Sequence, residues 1–324
     1  MMTMCFLKVC AAVFSIHGES MAKKYLLSIL SFVICLLLLP PLPSVAGDPK
    51  SSTTKAYSRK SLSLQNGRDQ RKLVLRSAFA LVEDQETGEL LISKQSTTVS
   101  PIASITKLMT AMVVLDADID LRETITIESG DRDIILHSHS RLPVGTRLTR
   151  GDALLLALMS SDNRSAHALG RTYPGGFAAC VAAMNTKARS LGLMETHFDD
   201  TTGLSSGNVS SARDLARLID AAYKYRLIRE YTTCKNAVVR TGRRSVQFCN
   251  TNRLIQNPRW QIGLSKTGFT GEAGRCLVMQ AQVARRPVLI VLLDSQGRLT
   301  RVGDANRIKR WLEEPSASAH TRRG

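Results

Sequence analysis

Ser104 and Lys107 are the residues whose types and spacing most clearly permit chemistry; they lie in the stretch ASITKLMTAMVVLDA. Apolar residues fall at nearly every helical angle of this stretch, which predicts a helix over 103–117 that is buried on most of its surface. Because residues three apart share one helix face and burial disfavours an ammonium ion, we expect Lys107 to act as a base on the Ser104 hydroxyl. The N-terminal N–H groups of the helix would favour an oxyanion near Ser104. A lysine that snorkels out of a half-buried helix is the alternative.

Two further short motifs lie far along the chain. A Ser-Asp-Asn tripeptide at 161–163 stands between two predicted helices, and a Lys-Thr-Gly tripeptide at 266–268 lies on a predicted strand. Each has an ordinary structural interpretation, either as the N-cap of the helix that follows or as common strand and turn chemistry. Together with a helical Ser-x-x-Lys, in this order, they form the set of motifs typical of penicillin-binding proteins and class A β-lactamases.

From about Leu73 to Leu312 the chain resembles the low-molecular-mass penicillin-binding proteins, the D-alanyl-D-alanine carboxypeptidase and endopeptidase family. The stretches LGLMETHFDDTTGLSS and SSARDLARLI also resemble that family, and LALMSSDNRSAHALGRTYPGG and IGLSKTGFTGEAGRCLVM are most similar to its short endopeptidase members. The resemblance implies an α/β (α+β) fold of the β-lactamase and DD-peptidase type. It also implies a serine peptidase that acts on peptidoglycan peptides without a cofactor or metal and is covalently inhibited by β-lactam antibiotics.

The resemblance assigns roles in acylation to four side chains. Ser104 would be the acylated nucleophile and Lys107 its base. Ser161 would relay a proton to the leaving amine, and Asn163 would hold the amide of the substrate. The chain shows no clear counterpart of the deacylating glutamate of class A β-lactamases, so we do not expect rapid turnover of β-lactams.

The resemblance also assigns the binding of the substrate. Lys266 and Thr267 would bind a substrate carboxylate, and Gly268 would let the strand approach closely. The backbone N–H groups of Ser104 and Phe269 would form the oxyanion hole. An endopeptidase that hydrolyses cross-links between D-alanine and a diamino acid is the favoured activity, and a D-Ala-D-Ala carboxypeptidase is the alternative.

The order of predicted elements indicates how these residues are positioned. Strands at both ends of the chain and helices between them predict one antiparallel sheet built from both chain ends, with an inserted helical lobe. The predicted strands are a hairpin over 77–96 that turns at 86–88, a short strand near 124–128, and strands over 232–240, 245–250, 263–270, 275–284 and 287–294. The predicted helices, besides that of Ser104, cover 150–191, 211–225 and 302–312.

The first 46 residues have the form of a secretory signal. Two lysines precede an apolar run over 25–39, and a small-x-small ending closes at Ala46. We expect translation to start at Met21, cleavage after Ala46 and export to the periplasm, with an uncleaved anchor as the alternative. The sequence predicts a flexible leader over 47–72, a catalytic domain over 73–313 and a polar tail over 314–324, with neither a second β domain nor an amphipathic anchor.

The chain is strongly basic, with a formal charge of +17. Removal of residues 1–46, which hold three lysines and one glutamate, leaves +15. Nucleic acid is the usual partner of such a charge, but we find no nucleic-acid-binding motif, and an exported protein meets anionic wall polymers and lipid headgroups instead. We therefore expect peripheral electrostatic contact with the wall or membrane surface; a solvated basic surface without a specific role is the alternative.

Four cysteines follow the predicted cleavage position, and export permits disulfides. Cys234 and Cys249 lie on two β-rich runs that flank Thr241 and Gly242. A two-residue turn at 241–242 would place the two cysteines opposite each other and allow a cross-strand disulfide. A turn shifted by one residue would break the alignment.

Three rival functions have weaker support in the sequence. Residues 203–207 match the Gly-x-Ser-x-Gly elbow of α/β-hydrolases, with Ser205 as nucleophile, but the preceding segment is rich in turn residues and only His320 follows. His137 and His139 could belong to a zinc site, although no matching upstream His and Asp pair is evident. A non-catalytic wall-binding protein is disfavoured because every catalytic position of the family is filled.

Overall fold

The computed structural model describes residues 73–134, 136, 139–241 and 244–314. The predicted signal, the leader and residues 315–324 lie outside the described residues. The strands are β1 Ser77–Asp84, β2 Leu90–Lys94, β3 Ser100–Pro101, β4 Thr124–Thr126, β5 Arg147–Thr149, β6 Val209–Ser210, β7 Asn236–Thr241, β8 Arg244–Cys249, β9 Gln261–Thr270, β10 Gly274–Val283 and β11 Arg286–Ser295. The helices are α1 Lys107–Asp116, α2 Arg150–Met159, α3 Asn163–Arg171, α4 Gly176–Ser190, α5 Ala212–Tyr223, α6 Arg226–Thr233 and α7 Thr300–Glu313. None of these described helices is both long and apolar enough to cross a membrane.

Five strands form the main sheet in the order β2-β1-β11-β10-β9, with every neighbouring pair antiparallel. β1 and β2 come from the N-terminal part of the described chain and β9 to β11 from its C-terminal part, which confirms the sheet predicted from both chain ends. Side chains of β10 alternate between two hydrophobic clusters, with Val278 on the side of α5 and Met279 on the side of α7. Strands β10 and β11 are buried on both faces because helices cover both faces of the sheet.

The inserted lobe is helical, as predicted, and α1 runs through its centre. Residues 107–114 of this helix are all buried, which confirms the expectation that it is buried on most of its surface. The predicted helix over 103–117 begins as one 3-10 turn, Ala103–Thr106, before the α-helix starts at Lys107. Ala103 has a left-handed backbone with φ of 47°, so the chain cannot enter regular α-helical geometry at that residue.

The segment 226–241 differs from the prediction. Its first residues form α6, with Ile228 and Thr232 buried one turn apart, so the strand predicted from 232 begins only at Asn236. β7 and β8 form a separate two-stranded hairpin and do not join the main sheet. The sequence of α6 is rich in Thr and Tyr, which favour strands, and packing of its buried face against the lobe overrides that preference.

The predicted disulfide between Cys234 and Cys249 is wrong. Thr241 pairs with Arg244, so the residue opposite Cys249 is Asn236. Cys234 lies immediately after α6 and before the strand. All four cysteines in the described residues are free thiols. The error arose because cysteine alignment depends on the exact position of the turn, which β-propensity does not fix.

Candidate active site

The side chains of Ser104 and Lys107 meet at the beginning of α1. The Lys107 Nζ lies 2.8 Å from the Ser104 Oγ. The 3-10 turn around Ser104 leads directly into the helix that starts at Lys107, so the three-residue spacing puts both side chains on one face. Lys107 is only 1% exposed, and its amine is therefore taken out of water. The predicted pairing of hydroxyl and buried amine is present.

The Lys107 amine contacts two further oxygen atoms. Its Nζ donates to the Asn163 Oδ1 at 2.7 Å and to the backbone carbonyl of Thr202 at 2.6 Å. Burial lowers the pKa of Lys107 to about 7, although the nearby carboxylates of Asp200 and Asp162 oppose that shift. Near neutral pH a large fraction of the amine is therefore unprotonated. Such an amine can accept the proton of an adjacent hydroxyl.

The Ser-Asp-Asn tripeptide combines both interpretations that the sequence allowed. Its middle residue is the N-cap of α3, because Asp162 accepts the backbone N–H of Ser165 at 2.8 Å. The two flanking side chains reach the site instead. Asn163 contacts Lys107, and the Ser161 Oγ accepts a hydrogen bond from the Lys266 Nζ at 2.8 Å. Ser161 has a left-handed backbone with φ of 60°, which is uncommon for serine and belongs to the tight connection between α2 and α3.

The Lys-Thr-Gly tripeptide lies on β9, at the edge of the main sheet, as predicted. Lys266 is 1% exposed. Burial lowers the pKa of Lys266 well below its usual range, and the charges of Lys107 and Arg301 lower it further. The Thr267 hydroxyl donates to the Thr251 Oγ1 at 2.7 Å. The site therefore holds two buried lysines, with a serine hydroxyl against each of them.

Two glycines allow the backbone segments of the site to approach. A Cβ atom at Gly268 would lie 2.9 Å from the Ile102 carbonyl oxygen and 3.0 Å from the Ser104 amide nitrogen. A Cβ atom at Gly203 would lie only 2.0 Å from the Ala103 carbonyl oxygen. The Ser104 segment is thus held between β9 and the loop of Gly203, and neither side has room for a side chain. Gly268 is thus a point of close approach between β9 and the Ser104 segment.

Two side chains that support the site were not predicted from the sequence: Asp200 on the loop of Gly203, and Arg301 on α7. Asp200 accepts the backbone N–H groups of Gly203 and Ser205, at 2.6 and 2.7 Å, and these bonds hold the loop that carries the Thr202 carbonyl. The only signal was an aspartate followed by threonines and a glycine, which favours a turn. On α7, the Arg301 Nη1 donates to the Gly268 carbonyl at 2.9 Å. This bond places a guanidinium group against β9, the strand that carries Lys266.

The rival sites do not form. The Ser205 Oγ donates to a carboxylate, the Asp199 Oδ2 at 3.0 Å, and His197 contacts the other oxygen of the same carboxylate at 3.0 Å. The carboxylate lies between serine and histidine, and no strand leads into Ser205, so there is neither a triad nor a nucleophile elbow. No group of three residues able to hold a metal ion occurs in the described part of the chain. His139 is exposed, and His137 lies outside the described residues.

Two cavities flank Asn163. The larger, of about 370 Å³, has the apolar side chains of Ile134, Phe177 and Leu204 among its lining. The smaller, of about 210 Å³, is lined by Ser161 and mostly by other polar side chains, together with Phe248. The two cavities share only Asn163 among their lining residues. The site is therefore open on two sides, as a groove for an extended ligand must be.

Comparison with known proteins decides the family. Residues 66–297, more than half of the chain, match the family described as D-alanyl-D-alanine carboxypeptidase. The chain belongs to this family of serine D,D-peptidases. A D-alanyl-D-alanine endopeptidase of Pseudomonas aeruginosa is 49% identical over 76% of this chain and 80% of its own length. A D-alanyl-D-alanine endopeptidase of Escherichia coli is 43% identical over 73% of this chain and 77% of its own length.

Solved structures of family members have the same fold. The Streptomyces K15 DD-transpeptidase superposes with a TM-score of 0.68 at 28% identity, over 74% of this chain and 97% of the other. A D-alanyl-D-alanine carboxypeptidase of Mycobacterium tuberculosis gives a TM-score of 0.66 at 25% identity, over 74% of this chain and 91% of the other. The DD-peptidase fold expected from the sequence is confirmed.

Proposed function

We propose that this protein is a D-alanyl-D-alanine endopeptidase, which hydrolyses the bond between D-alanine and the side-chain amine of a diamino acid in cross-linked peptidoglycan peptides. The observation that carries the chemistry is the buried Lys107 amine, 2.8 Å from the Ser104 Oγ. A buried amine with a pKa of about 7 is suited to take a proton from serine at neutral pH. No step of this reaction requires a metal or a cofactor.

The proposed acylation uses both hydroxyls of the site. Lys107 takes the proton of Ser104, and the Ser104 Oγ attacks the D-alanine carbonyl carbon while the N–H groups of Ser104 and Phe269 hold the oxyanion. Ser161 then relays the proton held by Lys107 to the leaving nitrogen, the C–N bond breaks, and the amine departs. Water hydrolyses the remaining ester and releases the acid. The contact between Ser161 and Lys266 supports this assignment, because an amine that donates to the Ser161 Oγ stabilises the negative charge that develops on this oxygen as its proton leaves.

The proposed binding follows from the same geometry. Asn163 is bonded to Lys107 and faces both cavities, so it is placed to hold the amide of the substrate. Lys266 and Thr267 are placed to receive the carboxylate next to the leaving amine, and the edge strand β9 is placed to lie along the extended peptide. A β-lactam presents a strained amide and a carboxylate to the same groups, so penicillin would acylate Ser104.

Endopeptidase and carboxypeptidase share this chemistry and differ in the leaving group. A carboxypeptidase expels free D-alanine, whereas an endopeptidase expels a second peptide strand and needs room for it. The cavities on both sides of Asn163 support the endopeptidase. The two relatives at 49% and 43% identity are named endopeptidases, while a Streptomyces relative at 32% identity is named a carboxypeptidase. The carboxypeptidase is the second candidate.

The proposed place of action is the periplasm. The signal-like sequence over 21–46 supports export, and the net charge of +15 that remains after its removal supports contact with anionic wall or membrane surfaces. The substrate itself carries several carboxylates. Attraction between the basic protein and this substrate would raise the rate of encounter.

Labelling with a fluorescent penicillin tests the proposed nucleophile. We expect the Ser104→Ala variant to lose covalent labelling because no hydroxyl remains to form the ester. Ser205→Ala is the matched control, and it should label like the wild type. Labelling retained in Ser104→Ala, or lost only in Ser205→Ala, would contradict the assignment. Circular dichroism of each variant checks that the fold is kept.

Chromatography of purified wall fragments tests the bond that is cut. The wild type should convert cross-linked dimers into monomers, and Ser104→Ala should leave the dimers intact. Release of free D-alanine from pentapeptide with the dimers untouched would show a carboxypeptidase instead.

A further inference from the structure

The smaller cavity next to Asn163 has a defined floor and two walls. Its floor is the connection between α2 and α3, which includes Ser161. One wall is formed by His139 and Arg141, and the opposite wall by the end of β8, where Cys249 is exposed. Because Ser161, whose hydroxyl is proposed to protonate the leaving amine, lines this cavity, the leaving group of the proposed reaction would emerge here.

Arg141 supplies a fixed positive charge at the rim of the cavity. Its Nη1 donates to the backbone carbonyl of Gln247 in β8 at 2.7 Å, so the side chain bridges the two walls. This bond uses one of the five N–H donors of a guanidinium group. A guanidinium held in place in this way is suited to bind a carboxylate with its other donors.

The one carboxylate in the lining of the cavity does not compete for Arg141. Asp162 is buried, and both of its oxygens already accept hydrogen bonds. Its Oδ1 accepts the N–H of Ser165 at 2.8 Å, and its Oδ2 accepts the hydroxyl of Ser140 at 2.7 Å. These two bonds engage Asp162 with Ser165 and Ser140 rather than with Arg141, so the Arg141 guanidinium is placed to bind an anionic ligand.

We propose that this cavity binds the second peptide strand of a cross-linked substrate, and that Arg141 contacts a carboxylate of that strand. The proposal rests on the endopeptidase function. In both reactions the carbon next to the leaving amine carries a carboxylate, which Lys266 and Thr267 are placed to bind. Free D-alanine ends there in a methyl group. A diamino acid continues through an aliphatic chain to a peptide that bears further carboxylates, and only this longer leaving group reaches Arg141.

The test compares two reactions of each variant: cleavage of purified cross-linked dimers and acylation by a fluorescent penicillin, which has no second strand. Loss of a hydrogen bond to a charged group lowers a rate constant about tenfold, so we expect Arg141→Ala to reduce the ratio of cleavage to acylation by about tenfold. Arg122→Ala is the matched control, because Arg122 is 92% exposed and contacts only its neighbour Asp120 among the described residues. Its ratio should equal that of the wild type.

A second pair of variants, at Cys249 at the end of β8, tests whether the charge within the cavity affects binding of the second strand. Cys249→Glu introduces a carboxylate into the cavity, and Cys249→Gln introduces a side chain of the same size without the charge. We expect the ratio for the glutamate variant to fall below that for the glutamine variant, because the new carboxylate repels the strand and competes for Arg141. An unchanged ratio in both Arg141→Ala and Cys249→Glu, with the wild type cutting dimers, would overturn this inference alone. A wild type that does not cut dimers would overturn the endopeptidase function itself.

Discussion

Lys107 and Lys266 are both buried, yet their surroundings have opposite charge. The carboxylates of Asp200, Asp162 and Asp133 act on Lys107 and oppose the effect of burial. Lys266 faces the cations of Lys107 and Arg301, which add to the effect of burial. The site thus holds the pKa of one lysine near neutrality, where an amine can both accept and return a proton.

The pH dependence of acylation follows from the pKa of Lys107. This pKa lies at about 7, below the usual value for lysine, so the reactive unprotonated amine is lost as the pH falls through 7. The acylation rate should fall about tenfold per pH unit well below that point and level off above it. Stopped-flow measurements with a fluorescent penicillin at a series of pH values would show this rising limb of the acylation rate.

A charge variant provides the control for that limb. Asp133→Asn removes a negative charge that raises the pKa of Lys107, so the rising limb should move to lower pH. A limb that begins near pH 10, or one that does not respond to Asp133→Asn, would contradict the role of Lys107 as base.

The residues that belong to short catalytic motifs could be predicted from the sequence, and those that only the fold brings to the site could not. Ser104, Lys107 and Lys266 belong to short motifs whose residue types are dictated by the chemistry. The Thr202 carbonyl has no such signature, because every residue has a carbonyl and only the fold decides which one meets Lys107. Arg301 lies on a helix far along the chain, and its position under β9 depends on packing.

Among the structural elements, the loop of Gly203 limits how the Ser104 segment can move. Gly203 has φ of 82°, and a Cβ atom there would lie 2.0 Å from the Ala103 carbonyl oxygen. Because the obstacle is backbone, no side-chain rotation relieves it. The loop and the 3-10 turn are therefore fixed to each other, and this contact holds the Ser104 hydroxyl against Lys107.

Gly203→Ala tests this contact. We expect it to lower the free energy of unfolding by about 3 kcal/mol or more, from the left-handed backbone together with overpacking, and to slow acylation. Gly88→Ala is the matched control, because Gly88 also has a left-handed backbone, with φ of 68°, but has no atom within 4 Å of the added Cβ. That variant should lose only about 1 kcal/mol and keep the wild-type acylation rate. Equal effects of the two substitutions in urea unfolding would contradict the fixed contact.

Elements with a strong apolar pattern were predicted well, and those decided by packing were not. The hairpin of β1 and β2, the strands β9 to β11 and the helix α7 lie within a few residues of the prediction. The short α6 was missed because its β-favouring residues become helical only when one face is buried. The register of β7 on β8 was misjudged by two residues, because a hairpin exposed at the surface has little alternation to fix it.

For the whole molecule, the positive charge should determine binding to the wall. We expect the protein to bind isolated wall material at low salt and to elute between about 0.1 and 1 M salt, where the screening length falls from about 10 to 3 Å. A variant in which four exposed arginines are changed to glutamine should elute at lower salt. The four are Arg122, Arg147, Arg240 and Arg244. Retention that does not depend on salt, or identical elution of the variant, would contradict electrostatic attachment.

The central strand of the main sheet, β11, is also the last strand among the described residues. β1 is hydrogen-bonded directly to it, so that Ser77 lies opposite Ser295. Such pairing between distant positions gives a high contact order, and folds of this kind form slowly because a long loop must close before the contacts are gained. A chain still being synthesised has Ser104 and Lys107 but lacks the strand that brings Lys266 to them. We therefore expect a nascent chain to lack peptidase activity until β9, β10 and β11 have been made and have paired with β1.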